Sequence, residues 1–183
     1  EATQTLSRSG VDSAELNARL LLAHVLGVEE WQLGVYRKKI SEQQANQLGE
    51  LIQKRSQRIP LQHLVGSVGF YGLDVQVSPS ALIPRPETEL LVETVIKTIH
   101  SQQKQNEPVK LLDMATGTGC IALALAKELP MAQVWGLDIS EAALNLARNN
   151  ASNSGLEKRV TWIHSDMWSG IKDPGQQWDY IIS

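Results

Sequence analysis

The residues between Asp113 and Gly119 have the composition of a ligand-binding loop. They follow a short apolar run and precede a stretch rich in alanine and leucine, a pattern that predicts strand, loop and helix. Small residues let a ligand approach the backbone closely, and the amides at the helix start then face it. A tight turn packed with small residues is the alternative, which a lone Gly-x-Gly would favour. The candidate contacts in the loop are Ala115, Thr116, Gly117, Thr118 and Gly119.

Three aspartates supply further polar groups near the ends of predicted strands. Asp113 ends the first of these strands, Asp138 ends the second, and Asp166 follows the third. The carboxylate of Asp138 has two acceptor oxygens, which match the two hydroxyl donors of an adenosine ribose. Asp166 can accept from an adenine amino group, and the adjacent Met167 can cover the purine face. Asp113 lies where a cationic amino-acid group can be held, so the set predicts a site for adenosine with a positive tail.

The pattern is compatible with two cofactors, NAD and S-adenosylmethionine. Gly117-x-Gly119-x-x-Ala122 matches the dinucleotide fingerprint, and Asp138 follows at about the 20-residue spacing that NAD binding requires. However, Asp113 stands just before the glycines, where its charge would repel a pyrophosphate. S-adenosylmethionine has no phosphate and carries a sulfonium and an ammonium group, which carboxylates attract. The residues therefore favour S-adenosylmethionine over NAD.

The elements that position these residues alternate between strands and helices. Apolar runs predict strands at 109–113, 134–138, 160–164 and 180–182. Between the first three strands, the pattern predicts helices at 120–129 and from 140 to about 150. Such alternation indicates a parallel sheet covered by helices, a Rossmann-like α/β domain over residues 81–183.

The first part of the chain has a different character. Apolar residues at helical spacing predict a small helical domain over residues 1–62, for packing or recognition. Glycines punctuate short β-prone runs in residues 63–80, which predicts a β-hairpin that links the two domains. Two helix starts are marked by potential capping boxes, Asp12 with Glu15 and Ser41 with Gln44.

Composition narrows the class of protein. Apolar residues make up 42% of the chain and charged residues 20%, which excludes an intrinsically disordered protein. No apolar run approaches the roughly 20 residues of a membrane helix, so no membrane partner is expected. The single Cys120 rules out an internal disulfide and fits the reducing cytoplasm. A net charge of −3 argues against direct nucleic-acid binding.

Two segments resemble the HemK/PrmC-type glutamine-N5 methyltransferases of peptide-chain release factors. Residues 83–89 read Ile-Pro-Arg-Pro-Glu-Thr-Glu, and residues 111–122 read Leu-Leu-Asp-Met-Ala-Thr-Gly-Thr-Gly-Cys-Ile-Ala. The glycine loop by itself would indicate only the broad class of seven-stranded methyltransferases, whereas the segment at 83–89 is much more specific. The likeness extends over nearly the whole chain, including the helical domain and the hairpin.

This resemblance implies methyl transfer from S-adenosylmethionine to the side-chain amide of the glutamine in the Gly-Gly-Gln motif of class 1 release factors. It implies that residues 115–119 form the cofactor loop, that Asp138 holds the ribose, and that Asp166 with Met167 lies at the adenine. It also implies that residues 84–86 lie beside the cofactor pocket. An amino-group methyltransferase acting on nucleic acid and a nucleotide-binding module of the NAD type remain as alternatives.

The chain departs from the family pattern at two points. Ala115 stands where family members commonly have glycine. The family's Asn-Pro-Pro-Tyr motif, whose oxygens orient the substrate amide, does not occur, although residues 179–183 resemble those just before it. We therefore expect a chain truncated at its C-terminus, with the first four of seven strands. No catalytic residue is assigned within 1–183, and no activity of this chain by itself is expected.

Overall fold

A computed structural model describes residues 1–104, 107–171 and 175–183. The chain divides into two compact units, Glu1–Gly66 and Ser67–Ser183. In the described ranges, no helix is both long and apolar enough to cross a membrane. The same ranges contain no group of side chains that could hold a metal ion.

The first unit is helical, as the apolar spacing predicts. Its core consists of buried leucine, isoleucine and valine side chains. These are Leu6, Val11, Leu21 and Ile52, which come from four segments of the unit. Its elements are α1 (Ala2–Arg8), α2 (Ala14–Leu26), a 3₁₀ helix (Glu30–Gly34), α3 (Glu42–Ser56) and α4 (Leu61–Val65).

The two predicted capping boxes have different outcomes. At α3 the box is confirmed, because the Gln44 amide donates to Ser41 Oγ at 3.2 Å and the Ser41 amide donates to Gln44 Oε1 at 3.0 Å. At α2 it is wrong: Ser13 is the N-cap residue, in a left-handed conformation with φ 52°, and makes no side-chain cap bond. The Asn17 side chain instead donates to the Asp12 carbonyl at 3.1 Å, so this helix start is stabilised from within the helix.

The second unit contains a hairpin and a parallel sheet. The hairpin is formed by β1 (Ser67–Phe70) and β2 (Leu73–Gln76), and its Phe70 and Val75 lie in the main core of this unit. The remaining elements are α5 (Pro86–Ser101), β3 (Lys110–Met114), α6 (Cys120–Glu128), β4 (Gln133–Asp138), α7 (Glu141–Asn153), β5 (Val160–His164) and β6 (Tyr180–Ile182).

The sheet confirms the predicted Rossmann-like α/β architecture. Its four strands are parallel and lie in the order β5-β4-β3-β6. The order reverses beside β3, since β4 and β5 lie on one side of it and β6 on the other. In open α/β sheets, ligands bind at the carboxyl ends of the strands near such a reversal. The loop after β3 lies at this position.

Close packing explains the small residues of this unit. Ala122, Ala124 and Ala126 of α6 are fully buried, so the helix is enclosed on most of its circumference. A Cβ atom at Gly136 of β4 would lie 2.5 Å from the ring of Trp162 on β5. Glycine at that position therefore leaves room for the indole ring beside the neighbouring strand.

Candidate functional site

The loop between β3 and α6 forms a tight turn. The Gly119 amide donates to the Thr116 carbonyl at 2.8 Å, and the Thr116 amide donates to the Leu137 carbonyl of β4 at 2.8 Å. Gly117 and Gly119 have left-handed φ values of 56° and 81°, which glycine adopts without steric cost. The turn is thus tied to the neighbouring strand and holds the predicted loop residues in one conformation.

Asp113, at the carboxyl end of β3, is buried beneath this loop. Its Oδ2 accepts from Thr116 Oγ1 at 2.5 Å and from the Ala122 amide at 3.2 Å, while the buried Oδ1 has no partner among the described residues. Burial raises the pKa of this carboxyl from 3.8 to about 7, although the hydrogen bonds from Thr116 and Ala122 oppose the shift. Asp113 therefore holds the loop and the start of α6 together.

Asp138, the last residue of β4, lies on the other side of the loop. Its Oδ2 accepts from the Gly117 amide at 2.9 Å and its Oδ1 accepts from the Ser140 amide at 2.9 Å. These two bonds orient the carboxylate before any ligand binds. Each carboxylate oxygen can accept more than one hydrogen bond, so both can also receive hydroxyl donors.

The segment after β5 carries its predicted residues on the surface. Asp166, Met167 and Trp168 are exposed, and Met167 has a left-handed φ of 50°. The buried residue here is Ser165, whose hydroxyl donates to the Met167 carbonyl at 2.5 Å and accepts from the Gly170 amide at 2.8 Å. The Ser165 amide donates to the Asp138 carbonyl at 3.0 Å, which links the ends of β4 and β5. The sequence offered no signal for this role of Ser165.

Two residues on the open side of the loop also bear on the site. Ala115 is exposed and has a left-handed φ of 57°, a conformation that favours glycine. A methyl group at Gly117 would lie 3.6 Å from the side chain of Ala81, so the segment that follows the hairpin passes beside the loop. The next residue, Leu82, is 76% exposed.

Asn150 is a further contact of the loop that sequence reasoning missed. This buried residue of α7 donates through Nδ2 to the Thr118 carbonyl at 2.9 Å and to the Gln76 carbonyl at 3.1 Å. Its Oδ1 accepts from the Gln76 amide at 2.8 Å. One signal existed in the sequence, because Asn150 lies at helical spacing from the buried Ala143 and Ala147 and so on the apolar face of its helix.

The charge around the loop has a chemical consequence. The Gly117 amide, in the loop, donates to the side chain of Asp138. The Ala122 amide, in the first turn of α6, donates to the side chain of Asp113. Amides at this position are the groups that bind the phosphates of a dinucleotide. With carboxylates already on them, the site suits a cationic ligand better than an anionic one.

Comparison with known proteins agrees with this architecture. Residues 1–66 match the family model of the PrmC N-terminal domain, and residues 111–183 match a methyltransferase domain. A SAM-dependent methyltransferase from Agrobacterium tumefaciens has a similar structure, with a TM-score of 0.53 and 23% identity over 63% of this chain and 38% of its own. That likeness shows the fold.

Proteins named release factor glutamine methyltransferase align along nearly the whole chain. The one from Rhodopirellula baltica is 38% identical over 99% of this chain and 61% of its own length. The one from Koribacter versatilis is 40% identical over 100% of this chain and 63% of its own length. The chain thus spans less than two thirds of the length of these curated relatives. Over nearly its entire length, the chain is similar to the release factor glutamine methyltransferases, with a match to the PrmC N-terminal domain followed by a match to a methyltransferase domain.

Proposed function

We propose that this protein binds S-adenosylmethionine and takes part in methylating the glutamine of the Gly-Gly-Gln motif in class 1 release factors, in the cytoplasm. The aligned relatives carry the name of this activity, which supports the proposal. In the bound cofactor, the sulfonium supplies the activated methyl group. No residue within 1–183 is assigned to the substrate amide.

The proposed cofactor site lies at the carboxyl ends of β3, β4 and β5. The backbone of residues 115–119 lines the ligand, and Asp138 accepts from the ribose hydroxyls. Asp166 accepts from the adenine amino group, and Met167 covers the purine. Asp113 acts from inside the loop, where its negative form is stabilised by a cation nearby.

One observation carries the choice of cofactor. The side chains of Asp138 and Asp113 accept hydrogen bonds from the backbone amides of Gly117 and Ala122, at the position where a dinucleotide would place its pyrophosphate. The Asp113 carboxyl is ionised above its pKa of about 7. A pyrophosphate would have to compete with these carboxylates and bear their repulsion. A sulfonium or ammonium group is attracted by them instead, which favours S-adenosylmethionine over NAD.

Calorimetric titration tests the cofactor. We expect S-adenosylmethionine and S-adenosylhomocysteine to bind with a stoichiometry of about one, and NAD to give no heat at the same concentrations. Tighter binding of NAD would overturn the assignment in favour of a dinucleotide-binding module.

A methyl-transfer assay tests the substrate. Radiolabelled S-adenosylmethionine is supplied with an unmethylated class 1 release factor, with the same factor lacking the Gly-Gly-Gln glutamine, and with ribosomal RNA. With a longer form of the protein that carries the Asn-Pro-Pro-Tyr motif, label on the intact factor alone is the expected result, whereas the 183-residue chain by itself is expected to leave all three substrates unlabelled. Label on the RNA would establish the alternative, an amino-group methyltransferase acting on nucleic acid.

A further inference from the structure

The side chain of Asn150 forms a bridge between two segments that are far apart in the chain. It is 1% exposed, and its three hydrogen bonds engage both amide hydrogens and the amide oxygen. The orientation of the amide is determined by its partners. The Gln76 N–H requires an acceptor, which is Oδ1, whereas the carbonyls of Gln76 and Thr118 require donors, which only Nδ2 supplies.

The two bridged segments both belong to the candidate site. Thr118 is part of the turn that follows β3, and its carbonyl is held toward α7 by this bond. Gln76 is the last residue of β2, and the chain continues from it to Ala81, which lies next to Gly117. The bridge therefore sets the separation between the loop and the start of the segment that passes beside it.

Two other side chains hold the hairpin, but they bond to its turn. Glu89 of α5 accepts from the Tyr71 amide at 2.8 Å, and Lys127 of α6 donates to the Gly72 carbonyl at 3.1 Å. These contacts lie at the opposite end of the hairpin strands from Gln76. Asn150 differs from both because the same amide group also bonds to the loop.

We propose that Asn150 is a positioning residue of the cofactor site, which couples occupancy of the loop to the order of the hairpin end at Gln76. This inference rests on the proposed function, since it concerns binding of S-adenosylmethionine at that loop. A ligand that stabilises the Thr118 carbonyl in its present orientation strengthens the shared amide, and the amide in turn holds Gln76. Coupling of this kind is reciprocal, so a loosened hairpin end weakens ligand binding by the same factor.

Substitution of one atom tests the bridge. Asn150→Asp keeps the shape of the side chain but removes both donors and places a carboxylate oxygen against the Gln76 and Thr118 carbonyls. We expect its affinity for S-adenosylhomocysteine in calorimetry to fall about tenfold, within the range of coupling through such networks. Asn149→Asp introduces the same charge one residue earlier, at an exposed position, and should bind like the wild type.

Hydrogen exchange supplies a readout that a purely structural role would not change. In the wild-type chain, S-adenosylhomocysteine should slow exchange of the Gln76 amide, whose acceptor is Asn150 Oδ1. This protection should persist in Asn149→Asp and disappear in Asn150→Asp. The wild-type measurement tests the coupling even where the Asn150 variant does not fold.

The possible failures are distinguishable. Absence of any S-adenosylhomocysteine binding by the wild-type chain would overturn the proposed function, and this inference with it. Wild-type binding without ligand-induced protection of Gln76 would overturn the inference only. Equal affinities of wild type and a folded Asn150→Asp would do the same, and a lower unfolding midpoint with unchanged affinity would make Asn150 a structural brace.

Discussion

The neighbouring strands β4 and β5 both lead into an aspartate, but the two strand ends are built differently. At the end of β4, Asp138 is 9% exposed, and each of its oxygens accepts from a backbone amide. At the end of β5, Asp166 is exposed, and its neighbour Ser165 is the buried residue, whose hydroxyl bonds to the Met167 carbonyl and the Gly170 amide. The aspartate at the end of β4 is therefore part of the hydrogen-bonded framework of the candidate site, whereas the aspartate after β5 is a surface residue.

The difference between the two strand ends should affect the free energy of cofactor binding. A carboxylate that is already oriented loses little conformational freedom when a ligand arrives, so its hydrogen bonds contribute nearly their full free energy to affinity. An exposed side chain must be ordered at that moment, and it is hydrated beforehand. We therefore expect the β4 end to contribute more to cofactor affinity than the β5 end does.

The largest effect is expected at Asp138. Asp138→Ala removes the two hydrogen bonds proposed to the ribose, each worth roughly 1.5–3 kcal/mol because the acceptor is charged. Affinity for S-adenosylhomocysteine in calorimetry should fall by about 100-fold or more. Asp166→Ala is the matched change at the β5 end and should cost about 1 kcal/mol, the value of an exposed hydrogen bond. Equal losses in the two variants would abolish the contrast between the strand ends.

The buried Asp113 should make stability depend on pH. Its pKa is about 7 in the folded chain and 3.8 when unperturbed, so the folded state binds the proton more tightly. The corresponding stability is fully present below the unfolded pKa and is lost as the pH rises through about 7. Above that pH, Asp113→Asn should exceed wild type in unfolding free energy by an amount on the order of 4 kcal/mol.

Urea denaturation between about pH 4 and about pH 9 measures this difference, because the decline begins near the unfolded pKa of Asp113 and ends once the pH exceeds the folded pKa of about 7. The control is Asp166→Asn, which removes the same charge at the β5 end and should retain the wild-type decline. A decline of equal slope in Asp113→Asn would assign the pH dependence to other groups.

The next effect concerns packing around Gly119. A Cβ atom there would lie 2.9 Å from both Ala147 and Trp162, and the φ of 81° is also unfavourable for alanine. Gly119→Ala should lower the free energy of unfolding by about 3 kcal/mol. Gly155→Ala separates the two causes, since Gly155 has a similar φ of 67° but nothing within 4 Å of the added atom. Gly155→Ala should lower the free energy of unfolding by about 1 kcal/mol. If Gly119→Ala lowered it by the same amount, a steric clash at Gly119 would be excluded.

The smallest expected effect is an increase in the free energy of unfolding. Ala115 adopts a φ of 57°, so Ala115→Gly should relieve strain and raise the unfolding free energy by about 0.5–1 kcal/mol. Met167→Gly makes the same change at the β5 end, where φ is 50°. It should stabilise the fold similarly and weaken S-adenosylhomocysteine binding, because the proposed purine contact is lost. Thermal unfolding with and without ligand resolves both quantities.

The local pattern of the sequence was sufficient for most elements of the second unit. Strands at 160–164 and 180–182 were predicted with the bounds that the structure has, whereas β3 is shifted by one residue at both ends and β4 begins one residue earlier than predicted. Runs of apolar residues and the turn residues between them specify such elements locally. The same pattern sufficed to identify the loop after β3 and the strand-end positions of Asp113 and Asp138.

The tertiary structure decided the remaining features, which depend on residues distant in the chain. The position of β6 beside β3, and thus the reversal of strand order, follows from pairing across the whole α/β unit. Burial of Asp113, and with it the raised pKa, follows from the packing of neighbouring elements around a carboxyl that the sequence places only at a strand end. The bonds of Asn150 reach residues 32 and 74 positions away, beyond the range of any local pattern. Local sequence specifies where strands and helices lie, whereas burial and long-range hydrogen bonds arise only when those elements pack.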